Sequence, residues 1–216
     1  MVQFFGAYGG SNTVTQRSKP YDAQLAAWLV GPLAQGPITP NHLTALRLLT
    51  GMAGAFIFAV CEAPNLAAWL IVLSNFLDHT DGELARLSGR QSRFGHNFDL
   101  VSDALVTSGM FIGIGIGLLP AEGAFALVQG LVAGLAVAAI FHLRNTLESR
   151  YGKNVTRQPR WGGFEAEDVL YLIPLMSLSG ELKLFLAAAS MGAPIALVIV
   201  VLHYRAVERR AQGELS

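Results

Sequence analysis

The chain has 216 residues, of which 52% are hydrophobic and only 14% charged, and its formal net charge is zero. Soluble domains carry charge at about a quarter of positions, so the composition points to lipid as the main solvent, and a zero net charge leaves no global field to attract nucleic acid. The single cysteine, Cys61, excludes an intrachain disulfide framework and a cysteine-based zinc cluster.

The first sixteen residues mix Gly, Ser, Thr and Asn without a charged start and apolar core, so no cleavable signal peptide is expected. From Pro20 to Gln35, Tyr21, Leu25, Trp28, Leu29 and Leu33 recur at helical spacing beside Arg17 and Lys19. That pattern predicts an amphipathic helix lying in the membrane interface. Gly31 and Pro32 disfavour a seventh, short span there. Thr39-Pro40-Asn41 then opens the first span, with proline suited to a first helical position.

A spanning helix needs roughly 20 mostly apolar residues. Six segments qualify, near 41–61, 65–88, 95–119, 122–150, 165–179 and 181–206. Pro64, Leu119-Pro120-Ala121 and Ser179-Gly180 supply the breaks. The expected fold is an all-α integral membrane protein. It is a six-transmembrane-helix bundle with an N-terminal interfacial helix, divided into residues 1–38 and a catalytic bundle over 39–216. A spanning barrel would need many short alternating segments, which are absent. Gly109, Gly113 and Gly117, and again Gly130 and Gly134, recur at four-residue spacing. Such faces let backbones approach closely in lipid, within one bundle or across a homodimer.

Under six spans, Arg17, Lys19, Arg86, Arg90, Arg93, Arg144, Arg150, Lys153, Arg157, Arg160, Arg205, Arg209 and Arg210 share one side, and only Lys183 lies on the other. Positive charge stays cytoplasmic. Both termini and the loop after the second span are therefore expected inside a bacterial cell membrane.

The informative stretch runs Asp78-His-Thr-Asp81-Gly82-Glu-Leu-Ala85-Arg86, then eight residues, then Gly95-His-Asn-Phe-Asp99-Leu-Val-Ser-Asp103. Asp78 and Asp81 are three apart and Asp99 and Asp103 four apart, so each pair shares one helix face. The short polar connection from Leu87 to Phe94 makes the second and third spans antiparallel neighbours whose acidic faces can meet. An aspartate at a span centre costs about 2.5–3.5 kcal/mol even on translocon scales. Four of them require bound cations or protonation. Carboxylates are hard ligands, which suits Mg²⁺, Mn²⁺ or Ca²⁺ better than zinc. Two ions about 3.5–4 Å apart could share such a cluster. Gly82 and Ala85 lack bulk and leave a groove beside the aspartates, and Arg86 can meet phosphate. His79 and His96 read as neighbours of the cluster or surface residues rather than as a base.

The pattern D-x2-D-G-x2-A-R-x8-G-x3-D-x3-D is met at every fixed position. It resembles the signature of the CDP-alcohol phosphotransferase family. The opening of the first span, with Pro40, Asn41, Leu43, Thr44 and Arg47, resembles that family's Pro-Asn-x-Leu-Thr-x-x-Arg start. The resemblance implies that Asp78, Asp81, Asp99 and Asp103 hold Mg²⁺ or Mn²⁺, with two ions expected. It also implies that Asp103 is the general base and that Gly82, Ala85 and Arg86 line the CDP site. Asn41, Thr44 and Arg47 would add nucleotide contacts. The implied reaction moves a substituted phosphate group from a CDP-activated donor to an alcohol acceptor, releasing CMP, in phospholipid biosynthesis. The favoured donor is CDP-diacylglycerol, whose tails can leave sideways into the bilayer; a soluble CDP-alcohol is the alternative.

Arg144, Arg150, Lys153, Arg157 and Arg160 cluster after the fourth span, where family members that use phosphorylated polyols place basic residues. Arg144 and Arg157 are the candidate acceptor contacts. Glu165, Glu167 and Asp168 suit an amino-alcohol instead. The D-P-x-A-D-K form typical of glycerophosphate enzymes is replaced by Asp99-Leu-Val-Ser-Asp103-Ala104. A competing class is a cation transporter or channel that uses the aspartates as an ion path.

Overall fold

The computed structural model of the chain describes residues 28–60, 63–152 and 170–213, without the side chains of 211–213. Six helices organise the described residues: α1 Pro40–Val60, α2 Pro64–Ser88, α3 Arg93–Gly117, α4 Ala124–Tyr151, α5 Ile173–Leu178 and α6 Leu182–Gly213. A 3-10 turn at Gly31–Leu33 precedes them, and one helical turn, Leu119–Glu122, joins α3 to α4. No strand occurs among the described residues.

The boundaries follow local chemistry. Proline occupies the first helical position of α1 and α2, where its missing N–H removes nothing. Gly89 ends α2 with φ 65°, a left-handed cap open to glycine. Ser92 then caps α3 by accepting a hydrogen bond from the Gly95 N–H at 3.0 Å. Arg90 donates to the carbonyls of Gly36 and Ile38, tying this connection to the segment before α1.

Four helices are long and apolar enough to cross a membrane: α1, α3, α4 and α6 to Arg210. The segment expected as the second span is helical as α2, 25 residues long, and is not among those four. Asp78, Asp81, Glu83 and Arg86 make its last turns polar. The fifth expected span differs more: its described part is helical turns from Leu170 to Leu178, and 165–169 lie outside the described residues. The expected interfacial helix also lies mostly outside them. Only its end is visible, with Trp28 largely exposed and Val30 buried.

The packing corrects one sequence-based expectation. The second and third spans do not pack as direct neighbours. α1 lies between them, in extensive contact with each, while α2 and α3 touch only marginally. Small residues on α1 permit this. A Cβ at Gly51 would stand 2.6 Å from Ser74 Oγ on α2 and equally close to Val106 on α3, and one at Gly54 would stand 3.0 Å from the Ala67 carbonyl. The bundle continues from α3 to α4 and from α4 to α6, and α5 covers α2.

The glycine faces act inside the bundle. A Cβ at Gly113 would collide with the Ala55 carbonyl of α1. At Gly130 and Gly134 it would meet the Phe111 and Ser108 carbonyls of α3, at 2.5 and 3.0 Å. Ser108 Oγ also donates to the Gly134 carbonyl. The core between these helices holds Phe58, Ile71, Met110, Phe111, Ile114 and Leu186. On the outside, Leu184, Met191, Ile195, Val198, Ile199 and Leu202 of α6 are all more than half exposed. That apolar surface is what a bilayer solvates and water does not.

Candidate active site

The site sits at the end of the bundle where α1 begins, α2 ends and α3 begins. Helical spacing puts Asp78 and Asp81 one turn apart on α2, and Asp99 and Asp103 one turn apart on α3. Carboxylate oxygens of Asp78, Asp99 and Asp103 lie within 4.8 Å of one another. Three oxygen ligands so close form a hard, anionic donor set that suits Mg²⁺ or Mn²⁺.

Arg47 of α1 stands at the centre. Its guanidinium bonds Asp78, Asp99 at 2.6 Å, and Asp103. The side chain is only 2% exposed, whereas those of Asp78, Asp99 and Asp103 are 23%, 35% and 26% exposed. The arginine is therefore enclosed and the carboxylates open outward. Its planar guanidinium carries donors along both arms and can serve several carboxylates at once. Ser74 of α2 donates to the Arg47 carbonyl at 2.9 Å, holding the backbone beneath the guanidinium.

Asp81 stands apart from this triad. It is buried and accepts a hydrogen bond from Thr44 Oγ1 at 2.6 Å. Thr44 and Arg47, expected beside the nucleotide, both contact the aspartates and lie three residues apart on one face of α1. Asn41 lies at the mouth, its Oδ1 2.9 Å from where a Gly95 Cβ would be.

On the outer face of α2, a Cβ at Gly82 would meet only the Arg86 guanidinium, at 3.6 Å. Little else lies beside that glycine. Ala85 is half-buried, and Arg86 is exposed and pairs with Glu83 at 2.9 Å. Glu83 is almost fully buried, a feature the sequence reading did not single out. His79 is half-buried with its Nδ1 on the Asn75 carbonyl, and His96 is exposed.

Arg144 is half-buried on α4, three residues beyond Phe141, which lines a small cavity reaching Arg47 and Asp103. Arg157 lies outside the described residues, as do Lys153, Arg160, Glu165, Glu167 and Asp168. Arg150 turns toward α6, donating to Tyr204 Oη at 3.2 Å. The sequence reading also missed Asn75, a residue that lines the same cavity. Its signal was available: a polar residue one helical turn before Asp78, in an otherwise apolar run.

The chain resembles known proteins in sequence and in fold. An archaetidylinositol phosphate synthase of Pyrococcus horikoshii is 35% identical over 85 residues, 39% of this chain and 45% of the relative. A CDP-diacylglycerol–serine O-phosphatidyltransferase of Helicobacter pylori is 35% identical over 105 residues, 47% of this chain and 40% of the relative. The matched stretch thus spans less than half the length of these curated relatives. Among solved structures, Mycobacterium tuberculosis phosphatidylinositol phosphate synthase with CDP-DAG bound superposes with a TM-score of 0.61 at 19% identity. That match covers 82% of this chain and 94% of the other, and it shows a shared fold. The same enzyme in complex with manganese and citrate gives 0.59 over 84% and 88%. The family model of the CDP-alcohol phosphatidyltransferases matches residues 37–204, a range that includes nearly all of the bundle, and the chain belongs to that family.

Proposed function

We propose that this chain transfers a phosphatidyl group from CDP-diacylglycerol to a small alcohol acceptor, releasing CMP, as a step of phospholipid biosynthesis. The observation that carries the reading is the convergence of Asp78, Asp99 and Asp103 within 4.8 Å, beside the open face of Gly82. Asp78, Asp99 and Asp103, with Asp81 behind them, would hold Mg²⁺ or Mn²⁺, two ions in the favoured form. The metal would neutralise charge on the transferring phosphorus and the departing CMP. Gly82, Ala85 and Arg86 would take the cytidine diphosphate, with Asn41, Thr44 and Arg47 behind it. Asp103 would accept the proton of the attacking hydroxyl, being one turn deeper than Asp99 and bordering the cavity toward α4. A direct attack needs no covalent enzyme intermediate.

The favoured acceptor is a phosphorylated polyol, its phosphate held by Arg144 and Arg157. The relative named as an archaetidylinositol phosphate synthase and the solved phosphatidylinositol phosphate synthase support this choice. A second reading takes an unphosphorylated amino-bearing acceptor and is favoured by the serine phosphatidyltransferase relatives. The proposed setting is a six-span bundle in the bacterial inner membrane, with termini and site cytoplasmic as the basic residues suggest.

The test is CMP release from CDP-diacylglycerol by the purified chain, with Mg²⁺ or Mn²⁺ and a panel of acceptors. Asp78→Asn and Asp99→Asn should each abolish release and weaken divalent-ion binding together. Ion binding with no CMP release from any CDP donor would favour a cation pathway instead. Release unaffected by a strong chelator would remove the metal from the mechanism.

A further inference from the structure

In the proposed CDP site the cation is Arg86, whose side chain is 58% exposed. An arginine so open to solvent has many rotamers to lose when it binds a ligand. Glu83 limits that freedom. Arg86 Nη2 donates to Glu83 Oε1 at 2.9 Å, and the Glu83 side chain is only 3% exposed. The two ends of the pair therefore differ: the carboxylate is anchored within the protein, and the guanidinium lies at its surface.

Asp78, Gly82 and Arg86 recur every fourth residue, so they share one face of α2. A helical side chain leans back over the preceding turn, and Arg86 does so. The nitrogen that meets Glu83 lies 3.6 Å from where a Gly82 Cβ would stand. The guanidinium is thus placed over Gly82, one turn from Asp78. Glu83 lies beside that stripe, and with Thr80, also buried, it marks a face of α2 turned into the protein. A carboxylate at such a position is costly unless it is paired. Glu83 engages one nitrogen of the guanidinium, and the other N–H groups can serve phosphate oxygens.

We propose that Glu83 is a positioning residue for the donor: it holds the Arg86 guanidinium over Gly82, one turn from Asp78, where that guanidinium meets a phosphate of the cytidine diphosphate. The inference rests on the CDP site proposed above. Glu83 itself touches no ligand and changes no bond. It acts on donor affinity, because an arginine that is already ordered loses less freedom on binding. Charge alone gives the opposite expectation. A carboxylate near the groove repels a diphosphate, so removing it would tighten binding. The sign of the effect therefore separates a positioning role from a simple charge effect.

The experiment measures CDP affinity in the presence of Mg²⁺, and the kinetics of CMP release from CDP-diacylglycerol with an acceptor that wild type uses. Glu83→Leu, close in size and without an acceptor oxygen, should weaken CDP binding at least about fivefold and raise the donor KM by a similar factor, with kcat within about twofold. Glu83→Gln keeps an uncharged acceptor oxygen and should lose less, about twofold to threefold. It also serves if the leucine variant does not fold. In an Arg86→Ala background neither substitution should change CDP affinity further, because no guanidinium is left to hold. Unchanged or tighter CDP binding by the folded variants would overturn the inference alone. So would an equal loss with and without Arg86, or a fall in kcat at constant donor KM. Wild-type protein that neither binds CDP nor releases CMP would overturn the proposed function itself, and the inference with it.

Discussion

Thr44 on α1 donates its hydroxyl to Asp81 Oδ2 on α2 at 2.6 Å, and both residues are almost fully buried. The bond joins two helices at the one aspartate that stands outside the triad. A buried acceptor that loses its partner costs about 1–3 kcal/mol, more when charged. Thr44→Val keeps the shape and deletes the donor, so it should lower the thermal unfolding midpoint in detergent, whereas Thr44→Ser should stay near wild type. Equal midpoints for the valine and serine variants would mean the bond contributes nothing.

Arg47 bears on metal binding. Its guanidinium balances three carboxylates from two helices. Breaking a buried charge network by deleting one partner typically costs about 3–5 kcal/mol. Arg47→Met should therefore destabilise the apoprotein strongly. Mn²⁺ should restore more stability to this variant than it adds to wild type, because a cation then replaces the lost charge. Thermal scans with and without Mn²⁺ check this; identical shifts in both proteins would place ion binding elsewhere.

Two glycines should respond in opposite ways. Gly82 faces open space apart from Arg86, so Gly82→Leu should leave the bundle folded and block CDP. Gly113 abuts the Ala55 backbone, so Gly113→Leu should force α1 and α3 apart and lower yield and stability. Size-exclusion profiles and CDP affinity separate the effects. A folded Gly82→Leu protein with wild-type CDP affinity would move the nucleotide away from this groove.

Arg144 distinguishes the two acceptor readings. Guanidinium offers a phosphate paired hydrogen bonds that lysine does not reproduce. If the acceptor is phosphorylated, Arg144→Lys should raise its KM several-fold while CDP-donor affinity stays nearly constant. If it is an amino alcohol, Arg144→Lys should be silent and Glu165→Gln or Asp168→Asn should be the damaging change, since an ammonium would lose its counter-charge. Steady-state kinetics on one active acceptor decide between them.

The amino-acid sequence by itself determined most helix positions and the faces that carry the aspartates. Apolar runs of spanning length, broken at Pro64, at Pro120 and at Gly180, place the element boundaries within two or three residues for most helices. These signals are local, because proline and glycine act on their own backbone. The aspartate spacing was equally legible, because a 3.6-residue period puts positions three and four apart on one face. Tertiary structure alone decided which helix separates which. A four-residue link between α2 and α3 suggested direct neighbours, yet α1 lies between them, because Gly51 and Gly54 let it approach both. That placement brings Arg47 into the middle of the triad, where it pairs with Asp78, Asp99 and Asp103. Helical periodicity states which residues share a face, and only the packing of all the helices states what that face meets.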